Sequence, residues 1–241
     1  MIELLARINY SISTLTRVHR LLPWLLAYLL LLPLPKLLEF SINDYYIDLA
    51  NRACLFILLC VGLNIVKGFC GQVTVGHIGL YAIGAVSSAL LALNYGLSFW
   101  VSAPLAMLIT GFAGIIVGLP SVRLEGAYLA LATLGLGESV RIMIAVTPAL
   151  GSSTGIMLIP APVIGDFVFD SFERYYYLVM TVALLGIYLS FAILRSATGR
   201  AFQAIREDPI AASVVGINVT MYKLLAFVIS ALYAGLGGAL F

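Results

Sequence analysis

Glu138 and Arg141 stand three residues apart inside an otherwise apolar run, the spacing at which two side chains meet on one helix face. Placed so, a carboxylate and a guanidinium either pair with each other in a low-dielectric setting or, turned toward water, line a polar passage. Gln72, Thr74 and His77 lie among Gly68, Gly71, Gly76, Gly79 and Gly84, a combination that invites non-helical backbone at the boundary of a span. Irregular backbone at membrane depth is tolerated only where it is buried in protein or lines a cavity. A broken helix beside a polar passage and an ordinary turn with glycines for close packing both fit this pattern. His77 alone reads as a hydrogen-bonded packing residue rather than a proton carrier, and Asn64 as polar glue between helices. The GxxxG spacing of Gly114 and Gly118 most simply packs one helix on another.

None of these groups completes a catalytic set. The chain contains no P-loop, no Ser/His/Asp arrangement, no HExxH and no cluster of metal-ligand spacing. The expectation is a protein that is not an enzyme and holds neither metal nor cofactor. Cys54, Cys60 and Cys70 show no paired CxxC and read as packing residues, and their odd number argues against a disulfide framework. A net charge of +2, scattered along the chain, gives no basic footprint for nucleic acid.

The elements that position these residues are apolar. Of 241 residues, 62% are hydrophobic and 10% charged, against about 45–50% and about 25% in soluble domains. That much apolar surface cannot be hidden in a soluble domain of this length, so the class is a polytopic, all-α membrane bundle. Seven segments approach the length a spanning helix needs, at roughly 21–40, 48–67, 75–93, 97–119, 126–147, 175–195 and 221–241. They are too long, and alternate too little, to be barrel strands. Residues 1–20 form a short amphipathic segment ahead of a retained first span, since no small-residue cleavage site follows it. The membrane domain then runs over 21–241.

Charge orients the bundle. With the N-terminus cytoplasmic, Arg7, Arg17, Arg20, Lys67, Arg123, Arg195, Arg200, Arg206 and Lys223 share one side, and Lys36, Arg52 and Arg174 the other. This is a clear positive-inside bias. The longest outer loop, about 148–174, reads as a structured cap, a docking surface or a plain connector.

Residues 196–220 interrupt the apolar pattern with a charged hairpin. Thr198 is the expected N-cap of a first short helix with Ala201, Phe202 and Ile205 on one side. Asp208 is the N-cap of a second, with Pro209 at its first position and Gly216 just past its end, and Thr220 is expected to cap the last span. These signals specify two short helices at a sharp corner, serving either as a docking knob or as an interfacial anchor.

The run "GRAFQAIREDPIAASVVGINVTMYKLLAFVISALYAGLGGAL" closely resembles the cytoplasmic loop and following helix of bacterial branched-chain amino acid ABC permeases of the LivM type. "GLNIVKGFCGQVTVGHIGLYAIGA", "GLPSVRLEGAYLALATLGLGESVRI" and "GSSTGIMLIPAP" are similar to that family too, in its order along the chain. The resemblance implies that the hairpin is the coupling element that docks on an ATPase subunit, with Gly199, Arg200, Ala204, Ile205, Arg206, Glu207, Asp208, Pro209, Ala211, Ala212 and Gly216 belonging to it. It also implies an inner-membrane location and the company of a second related permease, two cytoplasmic ATPases and a periplasmic solute-binding protein. The family continues beyond the last span seen here, so the expectation is a C-terminally incomplete permease. Branched-chain amino acids lead as substrate, with urea or short-chain amides as alternatives in the same family. An ion-coupled secondary transporter is the alternative of another class. Asn64, Gln72, Thr74, His77, Glu138 and Arg141 are the candidate path residues.

Overall fold

The computed structural model describes Tyr28, residues 31–33, 44–152, 155–157, 159–164 and 167–241. The amphipathic segment 1–20 and nearly all of the expected first span lie outside the described residues. Within them, six helices are long and apolar enough to cross a membrane. They are α1 (Asp44–Asn64), extended by a π-helical turn over Ile65–Phe69; α2 (His77–Tyr95); α3 (Phe99–Gly118), ending in a 3-10 turn over Leu119–Val122; α4 (Gly126–Val146); α5 (Phe172–Arg195); and α8 (Val219–Ala239). Two short helices, α6 (Ala197–Glu207) and α7 (Pro209–Val214), form the hairpin between α5 and α8. A two-stranded antiparallel ribbon, β1 (Val163–Ile164) and β2 (Phe167–Val168), decorates the loop between α4 and α5.

The last helix is the hub. α8 packs against α1, α2 and α3, and its sequence explains why, since Ser230, Ala231, Ala234, Gly235, Gly237 and Gly238 keep that surface flat. Backbones approach closely wherever small residues meet. A Cβ on Gly114 would lie 2.4 Å from Ala231 Cβ and one on Gly118 2.9 Å from Phe227 Cβ, so the GxxxG of α3 does pack on α8. α4 is the opposite case. Only 11% of its most apolar window is buried, against 44% for α8.

The bundle has two unlike ends. Lys67, Arg123, Glu125, the α6–α7 hairpin and the start of α8 gather at one, and the α2–α3 turn, the α4–α5 loop and the end of α8 at the other. Two expected caps move. The first short helix begins at Ala197 after an extended Ser196, leaving Thr198 inside it, and the last helix is capped by Asn218, whose Oδ1 accepts from Met221 N at 3.1 Å. In both cases the helix starts two residues earlier, about half a turn, with Asn218 capping by its side chain while the Ser196 hydroxyl donates to Ile193 O instead.

Candidate functional site

The hairpin is built as its sequence specifies at the corner. Asp208 is extended, and its Oδ1 accepts from Ile210 N at 2.8 Å and Ala211 N at 3.1 Å. Pro209 follows at the position where a missing N–H costs nothing. Gly216, at φ 86°, turns the chain out of α7, and Ile217 N closes on Ala212 O at 3.1 Å. Ala201, Phe202, Ile205 and Ala212 are buried against the bundle, Phe202 meeting the Tyr222 ring edge-on. Gly199 is required where α6 leaves α5, since a Cβ there would lie 2.1 Å from Leu194 O.

The outer face of the hairpin is apolar and open. Ile210 is 77% exposed, Val214 81% and Val215 75%. Arg200, Arg206, Glu207 and Asp208 are also exposed, whereas Ala204 is half-buried and Ala211 exposed. An apolar tip ringed by charges, on a base locked by two aromatic side chains, is a rigid knob.

The second constellation is the break between α1 and α2. After the π-turn, Cys70 N donates to Ile65 O and Gln72 N to Val66 O, Gly71 takes φ 74°, and residues 71–75 run without helix until α2 restarts. Of the two readings left open by the sequence, non-helical backbone is present and its glycines also pack closely. A Cβ on Gly76 would meet Thr133 O at 2.1 Å, and one on Gly79 would meet Gly137 Cα at 2.7 Å. Gln72, Thr74 and His77 are buried together here, and Val75 N donates to Thr133 Oγ1 on α4 at 3.2 Å.

His77 Nε2 lies 3.3 Å from Ser230 Oγ, which itself donates to Gly62 O at 2.7 Å. The single hydroxyl proton is thereby committed to the carbonyl, so Nε2 is the donating nitrogen. Gln72 Oε1 has no hydrogen-bond partner among the described residues.

Other candidates fall apart from this cluster. Asn64 is exposed at the end of α1, beside Gly68. Glu138 and Arg141 do pair, the guanidinium Nε donating to both carboxylate oxygens at 2.9 Å, but they face outward, with side chains 49% and 66% exposed. Among the described residues no group of His, Cys, Asp or Glu is arranged to hold a metal.

Two contacts escape a reading of the sequence. Arg206 Nη1 donates to Gly68 O, and a Cβ on Gly71 would lie 3.2 Å from Arg206 Cγ, so the hairpin grips the broken segment. Lys223, taken from sequence as a loop-side charge, is 3% exposed, and its Nζ lies 2.9 Å from Glu125 Oε1. A lone lysine opening an apolar helix was the available signal. Nearby, burial pushes the Cys70 thiol up to about 11, with the Lys223 charge pulling the other way, so the thiol stays protonated near neutrality.

The model of a family described as branched-chain amino acid transport system / permease component matches residues 45–241. The chain belongs to this family. It is 38% identical over 226 residues to the high-affinity branched-chain amino acid transport system permease protein LivM of Salmonella typhimurium, covering 84% of this chain and 53% of that protein. Identity to the protein of the same name in Escherichia coli is 37%, with the same coverage. The guanosine ABC transporter permease protein NupQ of Bacillus subtilis is 28% identical over 189 residues, 71% of this chain and 58% of that protein. The chain thus spans about half the length of the curated relatives it matches. No solved structure matches it. As a member of the permease family, the chain is a polytopic helical membrane protein, in keeping with its six long apolar helices.

Proposed function

We propose that this chain is a permease subunit of an ATP-driven importer of branched-chain amino acids in the inner membrane of a bacterium. The observation that carries this reading is the rigid, apolar-tipped hairpin at the basic end of the bundle. Its base is gripped by the broken segment through Arg206 and Gly68, and that segment touches α4 through Val75 and Thr133. A push on the knob therefore reaches two spanning elements. ATP binding and hydrolysis belong to two cytoplasmic ATPase subunits seated on the hairpins of this chain and a second related permease, while a periplasmic binding protein supplies solute at the opposite end. The basic residues of the hairpin end favour its cytoplasmic placement. Gln72, Thr74 and His77 belong to the gate on that side, and Glu138 with Arg141 to a face that another protein segment covers.

The 28% identity to a guanosine permease keeps nucleosides as a second reading. Crosslinking tests the first. A cysteine at Val214, combined with cysteines on a coexpressed ATPase, is expected to crosslink in a nucleotide-dependent way. No crosslink in any nucleotide state would sink the coupling role, and uptake of labelled leucine into proteoliposomes decides the substrate.

A further inference from the structure

α5 packs on α1 with Ala183, Gly186 and Ser190 buried, and a Cβ on Gly186 would lie 2.6 Å from Leu58 Cδ2. On its outer side Leu185, Tyr188, Ala192 and Arg195 follow one another at intervals of three and four residues, the spacing of a single helix face, and all four are exposed. Leu189 lies exposed beside them. This face is aliphatic and aromatic until its last residue, which is a cation.

Arg200, near the start of α6, converges on the same corner. Its Nη1 lies 3.5 Å from Arg195 O, so the guanidinium folds back to the end of α5 instead of reaching out along the hairpin. Arg195 Cζ stands 6.0 Å from the centroid of the Phe191 ring, one turn nearer the middle of the span. Both charges thus sit where the apolar face meets the hairpin. Both side chains are exposed, and among the described residues neither guanidinium meets a carboxylate. Arg206 differs, being tied to Gly68 O. The corner is anchored by Arg200 N, which closes on Ser196 O at 3.2 Å, and by the buried Phe202.

Two like charges held this close favour an anion between them, and a guanidinium offers paired N–H donors matched to phosphate. The face that continues from them decides which phosphate. A soluble phosphate ester gains nothing from Leu185 and Leu189, whereas a phospholipid lays acyl chains along them while its headgroup meets the arginines. A docking protein fits less well, since the exposed apolar tip of the hairpin lies on α7, at Ile210 and Val214, and not at this corner.

We propose that Arg195 and Arg200 hold the headgroup phosphate of an anionic phospholipid in the leaflet at the hairpin end, with its acyl chains along Leu185 and Leu189. The site requires only that α5 span the membrane, and it is independent of the solute carried and of the ATPase.

The test places the complete transporter, partner chains included, in nanodiscs of phosphatidylcholine containing a photoactivatable phosphatidylglycerol. Label is expected within residues 185–203, falling as unlabelled phosphatidylglycerol is added and not as phosphatidylethanolamine or soluble glycerol 3-phosphate is added. Arg195→Gln should lower that label by about fivefold, the scale of one basic residue beside an anionic leaflet, while Arg195→Lys should keep most of it. Arg123→Gln removes a charge at the same end of the bundle and should leave the label unchanged. Arg195 is exposed, so the melting temperature of Arg195→Gln in pure phosphatidylcholine nanodiscs should not move, which keeps a fall in label attributable to the lipid. Label absent from this stretch or undiminished by Arg195→Gln, an equal loss in Arg123→Gln, or displacement by glycerol 3-phosphate each overturns the site. So does an Arg195→Gln chain that keeps its label but loses the ATPase, which would give the corner to the protein partner.

Discussion

Lys223 Nζ and Glu125 Oε1 lie 2.9 Å apart, joining the second turn of α8 to the residue that precedes α4, with the lysine 3% exposed and the glutamate side chain 70% exposed. The asymmetry fixes what each substitution does. Glu125→Gln leaves an ammonium in a buried site with a weaker acceptor, whereas Lys223→Met removes the charge and keeps the packing volume. Glu125→Gln is expected to destabilise by about 1–3 kcal/mol, the scale of a hydrogen bond to a charged group, and Lys223→Met to recover part of that loss in the same chain. Thermal unfolding in detergent reads both. Additive losses would show that the two residues do not depend on each other.

The glycines make a sharper pair of expectations. Gly114→Val places its Cβ 2.4 Å from Ala231 Cβ at the contact between α3 and α8 and must push those helices apart. Overpacking of this kind costs about 1–3 kcal/mol, occasionally more. Gly135 has nothing within 4 Å of its Cβ position, so Gly135→Ala is expected to be neutral or to stabilise the isolated chain by up to about 1 kcal/mol through helix propensity. Melting temperatures of the two variants should move in opposite directions or differ by several degrees. If Gly135→Ala leaves the isolated chain stable but weakens assembly, the open face of α4 is covered by another protein segment.

Hairpin chemistry was largely legible in the sequence because it is local: Asp208, Pro209 and Gly216 are read from their neighbours alone. The break at Gly68–Gly76 was legible as an invitation, since glycines and polar residues at a span boundary announce irregular backbone without saying what it touches. What stayed hidden was pairing across long separations. Arg206 with Gly68, Lys223 with Glu125 and His77 with Ser230 depend on how helices cross, and a charge count placed Lys223 in water when packing buries it. The shift of both caps, from Thr198 to Ser196 and from Thr220 to Asn218, has a simpler origin. Two polar residues stand at each start, and the helix begins two residues earlier than the later one would place it, at Ser196 without a side-chain cap and at Asn218 with one.

Glu138 and Arg141 form their pair on the open face of α4, where an ion pair directed at lipid is costly. Glu138→Gln and Arg141→Gln should each impair assembly or transport, because each strands the other charge. The double substitution should impair less than the sum of the two. Measured on assembled complexes, strictly additive losses would instead assign the two residues separate roles along the path.

Asp208→Ala removes two hydrogen bonds to the N-terminal amides of α7, and Gly216→Val forces a β-branched residue to φ 86°. The first is expected to cost about 1 kcal/mol of local stability, and the second strains the turn that ends α7. Neither touches a long apolar helix. Membrane insertion should therefore survive both, while substrate-stimulated ATP hydrolysis and uptake fall together in the complete transporter. Ile210→Glu and Val214→Glu complete the set, because they leave the hairpin geometry intact and alter only its exposed tip. A docking knob predicts that these two charges weaken copurification of the ATPase as much as the deformed hairpins do. An interfacial anchor predicts the reverse, with the ATPase retained and the loss appearing instead on neutralising Arg200 and Arg206. Copurification and ATPase stimulation, measured side by side for the six variants, distinguish a hairpin that carries force from one that only rests on headgroups.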